Sequence, residues 1–241
     1  MKRILFIIVI LLISQVCFAG RLQEMQKAVI AAKNGAGGES IYTIYLTDNT
    51  TDFNNVTYSE SIVYSGTDDN YIRGSNPTAN HGSSDPLQIG YWSEVDRTHI
   101  LIRFTGLSGI PNTATVKSVT LALYYVAWDS SVNMEIHKVS KLWTENYSSY
   151  NSYDTSLDWT TSGALDATDS NATSSGTLVS ADGWNTITQT TGYLLNDVQS
   201  WISESSVNNG WMLYTSSGGV NYRASEGTDG YRPYLKVVYE N

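Results

Sequence analysis

The sequence predicts an all-β protein: an antiparallel two-sheet sandwich of jelly-roll type with one short helix. Three observations carry this expectation. From residue 61 onward, short apolar runs alternate with clusters of Gly, Ser, Asn and Asp, which is the pattern of strands and turns. Some runs alternate residue by residue: Ile100, Ile102 and Phe104 fall on one face of their run, with Leu101 and Arg103 on the other. Helical spacing is confined to residues 191–203 and to a stretch near the N-terminus. Many strands joined by irregular loops suit two packed sheets.

Taken in order, the chain opens with Lys2 and Arg3, then an apolar run from Ile4 to Ile13, then Cys17-Phe18-Ala19. Basic start, apolar centre and small residue at the cut are the marks of a secretory signal. Residues 1–19 are therefore expected to be a signal peptide, and the product to be secreted or held at the cell surface. The run is short against the about 20 residues of a membrane span, so no stable span is expected after cleavage. Cleavage would also remove Cys17, the one cysteine of the chain, and leave a fold without disulfides although export permits them. Loss of Lys2 and Arg3 takes the net charge from −9 to −11. That balance argues against nucleic acid, whose phosphates select basic surfaces.

Leu22, Met25, Val29 and Ala32 recur at helical spacing, and Gly35, Gly37 and Gly38 end the pattern. Residues 20–60 are read as a short helix and flexible linker, and residues 61–241 as the β-sandwich domain. Its expected strands are 61–65, 87–91, 98–104, 115–127, 132–138, 184–189, 210–216 and 233–240. In the run 119–128 both faces are apolar, with Leu121, Leu123 and Tyr125 against Ala122, Tyr124 and Val126; such a strand is central and covered on both sides. Leu194, Leu195, Val198, Trp201 and Ile202 share one face of the expected helix over 191–203. Residues 144–176 contain few aliphatics, and Tyr150 and Trp159 are expected to pin that segment to the sheets.

An ordered set of short motifs runs through the domain. It begins with Asp69, Tyr71-Ile72 and Gly74, then Pro77, Asn80-His81-Gly82 and Leu87 with Ile89-Gly90. Arg103-Phe104, Ile110-Pro111 and Trp143-Thr144-Glu145 follow, then Trp159, Gly163 and Asp166. Asn209-Gly210-Trp211, Ser225-Glu226 and Arg232-Pro233-Tyr234-Leu235 close it. This order resembles the DNRLRE, or disaggregatase-related, domain family. The resemblance implies a β-sandwich of secreted and surface proteins, similar to carbohydrate-binding modules for acidic polysaccharides such as alginate.

The residues between Tyr71 and Arg97 carry the expected chemistry. Asn80 and Gly82 permit a tight loop, and His81 is expected to project from its tip. Arg73 and Arg97 suit bidentate contact with a carboxylate, and Tyr91 or Trp92 offers a ring for stacking on a sugar. The expected carbohydrate-binding set is Arg73, Asn80, His81, Tyr91, Trp92 and Arg97. Asp68, Asp69 and Asp85 offer oxygen ligands to a structural calcium, the single cofactor expected. His99 and His137 fall within strand patterns and read as structural. No GxSxG elbow occurs, so a serine hydrolase is not indicated. The function expected is non-catalytic binding of an anionic polysaccharide such as a polyuronate. Two alternatives are a surface structural or assembly protein, and a polysaccharide lyase using His81, Arg73 and Tyr91.

Overall fold

The computed structural model describes residues 31–34, 40–47, 50–53, 56–62, 66–228 and 230–240. The expected signal peptide lies outside the described residues, as do residues 20–30 of the expected N-terminal helix. The strands are β1 Ala31–Asn34, β2 Ser40–Leu46, β3 Thr50–Phe53, β4 Val56–Ile62, β5 Thr67–Arg73, β6 Leu87–Ser93, β7 Asp96–Phe104 and β8 Thr115–Trp128. They continue with β9 Asn133–Lys138, β10 Ser152–Asp154, β11 Leu157–Asp158, β12 Gly176–Val179 and β13 Trp184–Gln189. After helix α1, Tyr193–Ile202, come β14 Trp211–Tyr214, β15 Gly218–Tyr222 and β16 Tyr234–Glu240.

Among the described residues, twelve strands form one antiparallel sheet in the order β1-β2-β16-β8-β15-β6-β7-β14-β9-β12, with β13 also on β8 and β5 also on β7. Strand β8 is the hinge of this arrangement. Thr115–Ala122 pair with β16, and Val119–Tyr124 pair with β13 on the other edge. Tyr125, Ala127 and Trp128 then pair with β15. One long strand thus serves both halves of the sheet, and the sheet curls so that both halves contribute to one core. Ile44, Leu46, Leu121, Leu235 and Val237 from one half meet Ile89, Ile100, Ile102, Ile136 and Leu213 from the other in a single buried cluster. The all-β, antiparallel expectation is met, with α1 packed through Leu194, Val198, Trp201 and Ile202.

A second cluster covers the opposite face of β5, β7 and β14. Ile72, Leu101 and Met212 pack there against Trp143, Trp159 and Ala164, with Tyr150 at the margin. Residues 144–176 are therefore a fixed cover, pinned by Trp159 and Tyr150 as expected. The Trp159 indole donates to Ser149 O at 3.0 Å, and the Asp169 carboxylate accepts from the backbone N–H of Thr160 and Thr161. Polar side chains close the backbone hydrogen bonds that a segment poor in aliphatics cannot bury in a ladder.

Two differences from the sequence reading bear on the site. The folded unit starts before Ser61: β2 pairs with β16 from Ile41 to Leu46, and Ile44 and Leu46 are core residues. Ala31–Asn34, read as the end of a helix, pair with β2 instead. The second difference is β5, which spans Asp68, Asp69 and Asn70, types that disfavour strands. All seven of its residues pair with β7. Its polar side chains are accommodated by distant partners, described next.

Candidate functional site

The stretch between β5 and β6 folds back across the end of the sheet. Successive turns close it: Asn76 N–H donates to Arg73 O, Ala79 N–H to Asn76 O, and Ser84 N–H to His81 O. The buried Asn70 side chain organises the interior. Its Nδ2 donates to Ser148 O and Ser148 Oγ, and its Oδ1 accepts from His81 N–H at 3.1 Å. That bond draws His81 inward. Its ring stacks on Tyr71 at 4.1 Å between centroids and 8° between planes. His81 therefore does not project from a loop tip. Burial, and then the charge of Arg73, holds its pKa below the usual imidazole value. Asn80 is also occupied, since its Nδ2 donates to Glu145 O and Ser148 O.

The expected cations are present but paired. Arg73 Nε and Nη2 donate to the two oxygens of Asp96 at 2.9 and 2.8 Å. This fork pushes the Arg73 pKa up and the Asp96 pKa down. Arg97 pairs with Glu94, whose carboxylate also accepts from Tyr91 Oη. The Tyr91 bond, then the Arg97 charge, holds Glu94 below the usual carboxylate range. The two arginines lie over rings: Arg73 over Trp92 at 5.3 Å and Arg97 over Tyr91 at 5.1 Å. Tyr91 and Arg97 are cross-strand partners, next to the pair Gly90 and Thr98, so the two groups occupy opposite sides of the β6–β7 hairpin.

Trp92 lies on the face of β6 opposite the core residues Leu87 and Ile89. Its ring rests on a floor of two glycines that face each other across β6 and β15, Gly90 and Gly219. A β-carbon at Gly90 would come within 2.5 Å of the ring, and one at Gly219 within 2.9 Å. The indole meets that of Trp128 edge-on, with centroids 5.7 Å apart and planes at 88°. Both rings are exposed, at 44% and 52%. Trp128 ends β8 with φ of 85°, a left-handed conformation that is an outlier for a bulky residue. Tyr125 Oη holds its carbonyl at 2.6 Å. Below the same face, the cross-strand pair Gln88 and Asn221 has side-chain carbonyl oxygens that accept no hydrogen bond from the described residues.

The acids read as metal ligands do not converge. Strand alternation sends Asp68 and Asp69 to opposite faces. Asp68 meets its cross-strand neighbour Arg103, taking Nε and Nη2 at 2.8 and 2.5 Å. Asp85 accepts from Arg223 Nη1 and from Ala224 N–H. Asp69 points the other way and is 1% exposed. There it meets Glu145 and Glu226, with carboxylate atoms of all three within 4.8 Å of one another. Asp69 Oδ2 accepts from Ser225 N–H, while its own N–H donates to Glu145 Oε1, each at 2.8 Å. Burial, then the negative charge of Glu226, pushes the Asp69 pKa well up.

Of the expected carbohydrate set, the fold brings Arg73 and Trp92 together, and separately Tyr91 and Arg97; Asn80 and His81 are taken up by the interior of the loop. The sequence reading missed Trp128, Gly219 and the convergence of Glu145 and Glu226 on Asp69. Among the described residues no helix is long and apolar enough to cross a membrane. No family model matches the chain, and no curated protein matches it in sequence.

Proposed function

We propose that this chain is a secreted, non-catalytic, carbohydrate-binding β-domain of the DNRLRE-like, jelly-roll type, and that it holds a polysaccharide on the ledge formed by Trp92 and Trp128. The exposed indole pair on its glycine floor is the observation that carries this reading. A sugar ring presents C–H groups on its faces and hydroxyls at its rim. It therefore suits a flat, electron-rich ring beside polar groups, and rings with one apolar body and one polar tip favour such half-wet positions. Two exposed tryptophans in contact are costly to leave in water without a use.

Arg73 supports an acidic polysaccharide as ligand class. It spends Nε and Nη2 on Asp96, and a guanidinium has five N–H donors, so Nη1 remains to meet a uronate carboxylate beside Trp92. The charge is shared with Asp96, so stacking supplies more of the affinity than ion pairing. The lyase alternative has less support, because His81 is stacked flat on Tyr71 and is poorly placed as a proton carrier.

Calorimetry or affinity electrophoresis against a polyuronate and a neutral polysaccharide tests the proposal. Binding by the wild type that is lost in Trp92→Ala and Trp128→Ala is the expected result. Binding that survives both substitutions removes the ledge from consideration. No binding to any glycan turns the reading toward a surface structural protein.

A further inference from the structure

We propose that Asp69, Glu145 and Glu226 form a binding site for a hard divalent cation of the calcium class, which clamps β5 to two distant loops. Two independent observations carry this. The first is the donor set: three carboxylates from β5, from the turn after Trp143 and from the turn at 224–227 lie within 4.8 Å of one another. Three like charges at that spacing repel strongly in a dry setting, and a divalent cation removes the repulsion by joining them. The second is an orphaned oxygen. Asp69 is 1% exposed, its Oδ2 is taken by Ser225 N–H, and its Oδ1 is buried with no hydrogen-bond partner among the described residues. A buried carboxylate oxygen left unpaired costs free energy that a ligand there recovers.

The surroundings show that the site is held in place from three sides. Glu145 Oε1 is fixed by Asp69 N–H, and the Glu145 carbonyl by Asn80 Nδ2. The turn carrying Glu226 is tied at Ala224 N–H by Asp85 and at Ser225 N–H by Asp69. Glu226 itself is exposed, which leaves an approach for the ion and positions for water. An all-oxygen donor set with an open side suits calcium, which takes 6–8 oxygens in flexible geometry, more than zinc, which prefers nitrogen and sulfur. This inference does not rest on the glycan ledge, since it shares no residue with it.

The test uses the full chain treated with chelator and then dialysed. Calcium chloride is titrated in by calorimetry, and thermal unfolding is followed in parallel, with magnesium chloride as the comparison. The expected results are one calcium per chain, a midpoint of unfolding that rises with calcium and saturates, and weaker stabilisation by magnesium. Glu226→Gln, at an exposed position where the fold tolerates change, should weaken calcium binding by about tenfold or more. Asp69→Asn should abolish it. If Asp69→Asn fails to fold, Glu226→Gln alone decides. Absence of calcium binding and of any calcium-dependent shift in the wild type overturns the proposal, and so does wild-type affinity in Glu226→Gln. A wild type that is stabilised only by lowering the pH would show instead that the three carboxylates share a proton.

Discussion

The indole of Trp128 reaches Trp92 because its backbone turns left-handed: φ is 85° at Trp128, and the two ring centroids stand 5.7 Å apart, edge to face. An L-residue in this region is destabilised by about 1–2 kcal/mol, and the edge-to-face contact returns about 0.5–1.5 kcal/mol. The two nearly cancel, so the ring's position is not explained by stability.

From this follows a separation of fold and function at one residue. Trp128→Gly removes the backbone strain and the ring contact together. Its unfolding free energy is expected to stay within about 1 kcal/mol of wild type, while affinity for the polysaccharide ligand is lost. Denaturant unfolding and calorimetry on the same sample check this. A Trp128→Gly protein that is destabilised by several kcal/mol would make the tryptophan structural.

Arg73 and Asp96 form a half-exposed fork, with side-chain exposures of 34% and 23%. Such a pair contributes about 0–1 kcal/mol to stability, but it neutralises the cation nearest Trp92. Asp96→Asn should therefore leave the fold nearly unchanged and strengthen binding of an oligouronate. The gain should shrink as salt is raised, because exposed charges are screened over about 8–10 Å at moderate ionic strength. Titrations at two salt concentrations decide it; equal affinity in Asp96→Asn and wild type would mean that Arg73 does not meet the ligand.

Periodicity made much of this fold legible. The two-faced apolar run of β8 reads as a central strand, and it is the strand that joins both halves of the sheet. The face of α1 reads directly from Leu194, Val198 and Trp201. Strand β5 was not legible because Asp68, Asp69 and Asn70 are poor strand formers whose partners are distant in sequence. Asp68 is paired with Arg103, Asn70 with Ser148 and Asp69 with Ser225. The site was legible in residue types but not in their use. Trp92 and Arg73 were found as neighbours of one loop, whereas Trp128 looked like the end of an apolar run, since nothing local announces its left-handed backbone. Glu145 and Glu226 stand in the sequence only as parts of two short motifs, because only the fold brings them to Asp69.

Two tryptophans test the core. Trp143 and Trp211 are fully buried, and each indole N–H is satisfied, by Asn209 O at 2.8 Å and by Asp197 Oδ2 at 3.0 Å. Replacing either by Ala should cost about 3–5 kcal/mol. Trp184, half-buried between Tyr124 and Tyr234, should cost less. Urea unfolding of the three variants gives the ranking, and an equal loss for all three would contradict the burial.

Strand β2 tests where the folded unit begins. A chain starting at Ser40 keeps the pairing of β2 with β16 and the burial of Ile44 and Leu46, and should unfold cooperatively. A chain starting at Thr47 loses both core side chains, each worth about 1.5–3 kcal/mol, and exposes the edge of β16. It is expected to be several kcal/mol less stable or to aggregate. Equal thermal midpoints for the two chains would show that β2 is dispensable.

His99 gives the fold a pH dependence whose sign can be worked out. It is buried on β7 beneath the cover segment, where its Nδ1–H donates to Gly163 O at 2.8 Å. The rings of Tyr150 and Tyr214 flank it, and Arg97 adds a like charge to the protonated form. Burial, ahead of that charge, lowers its pKa to about 4, against about 6.5 for an imidazole in water. Above about pH 6.5 both folded and unfolded chains hold a neutral ring, so the shift has no effect there. Between that pH and about 4 the unfolded chain binds a proton that the folded chain refuses, and stability falls as pH falls, by about 3 kcal/mol in all. His99→Asn keeps a short donor for Gly163 O and removes the titration. The variant should be less stable than wild type at pH 7 but should lose less stability than wild type between pH 7 and pH 4. Unfolding curves for both proteins at several pH values measure the difference, and parallel slopes would show that His99 accepts a proton without leaving its place.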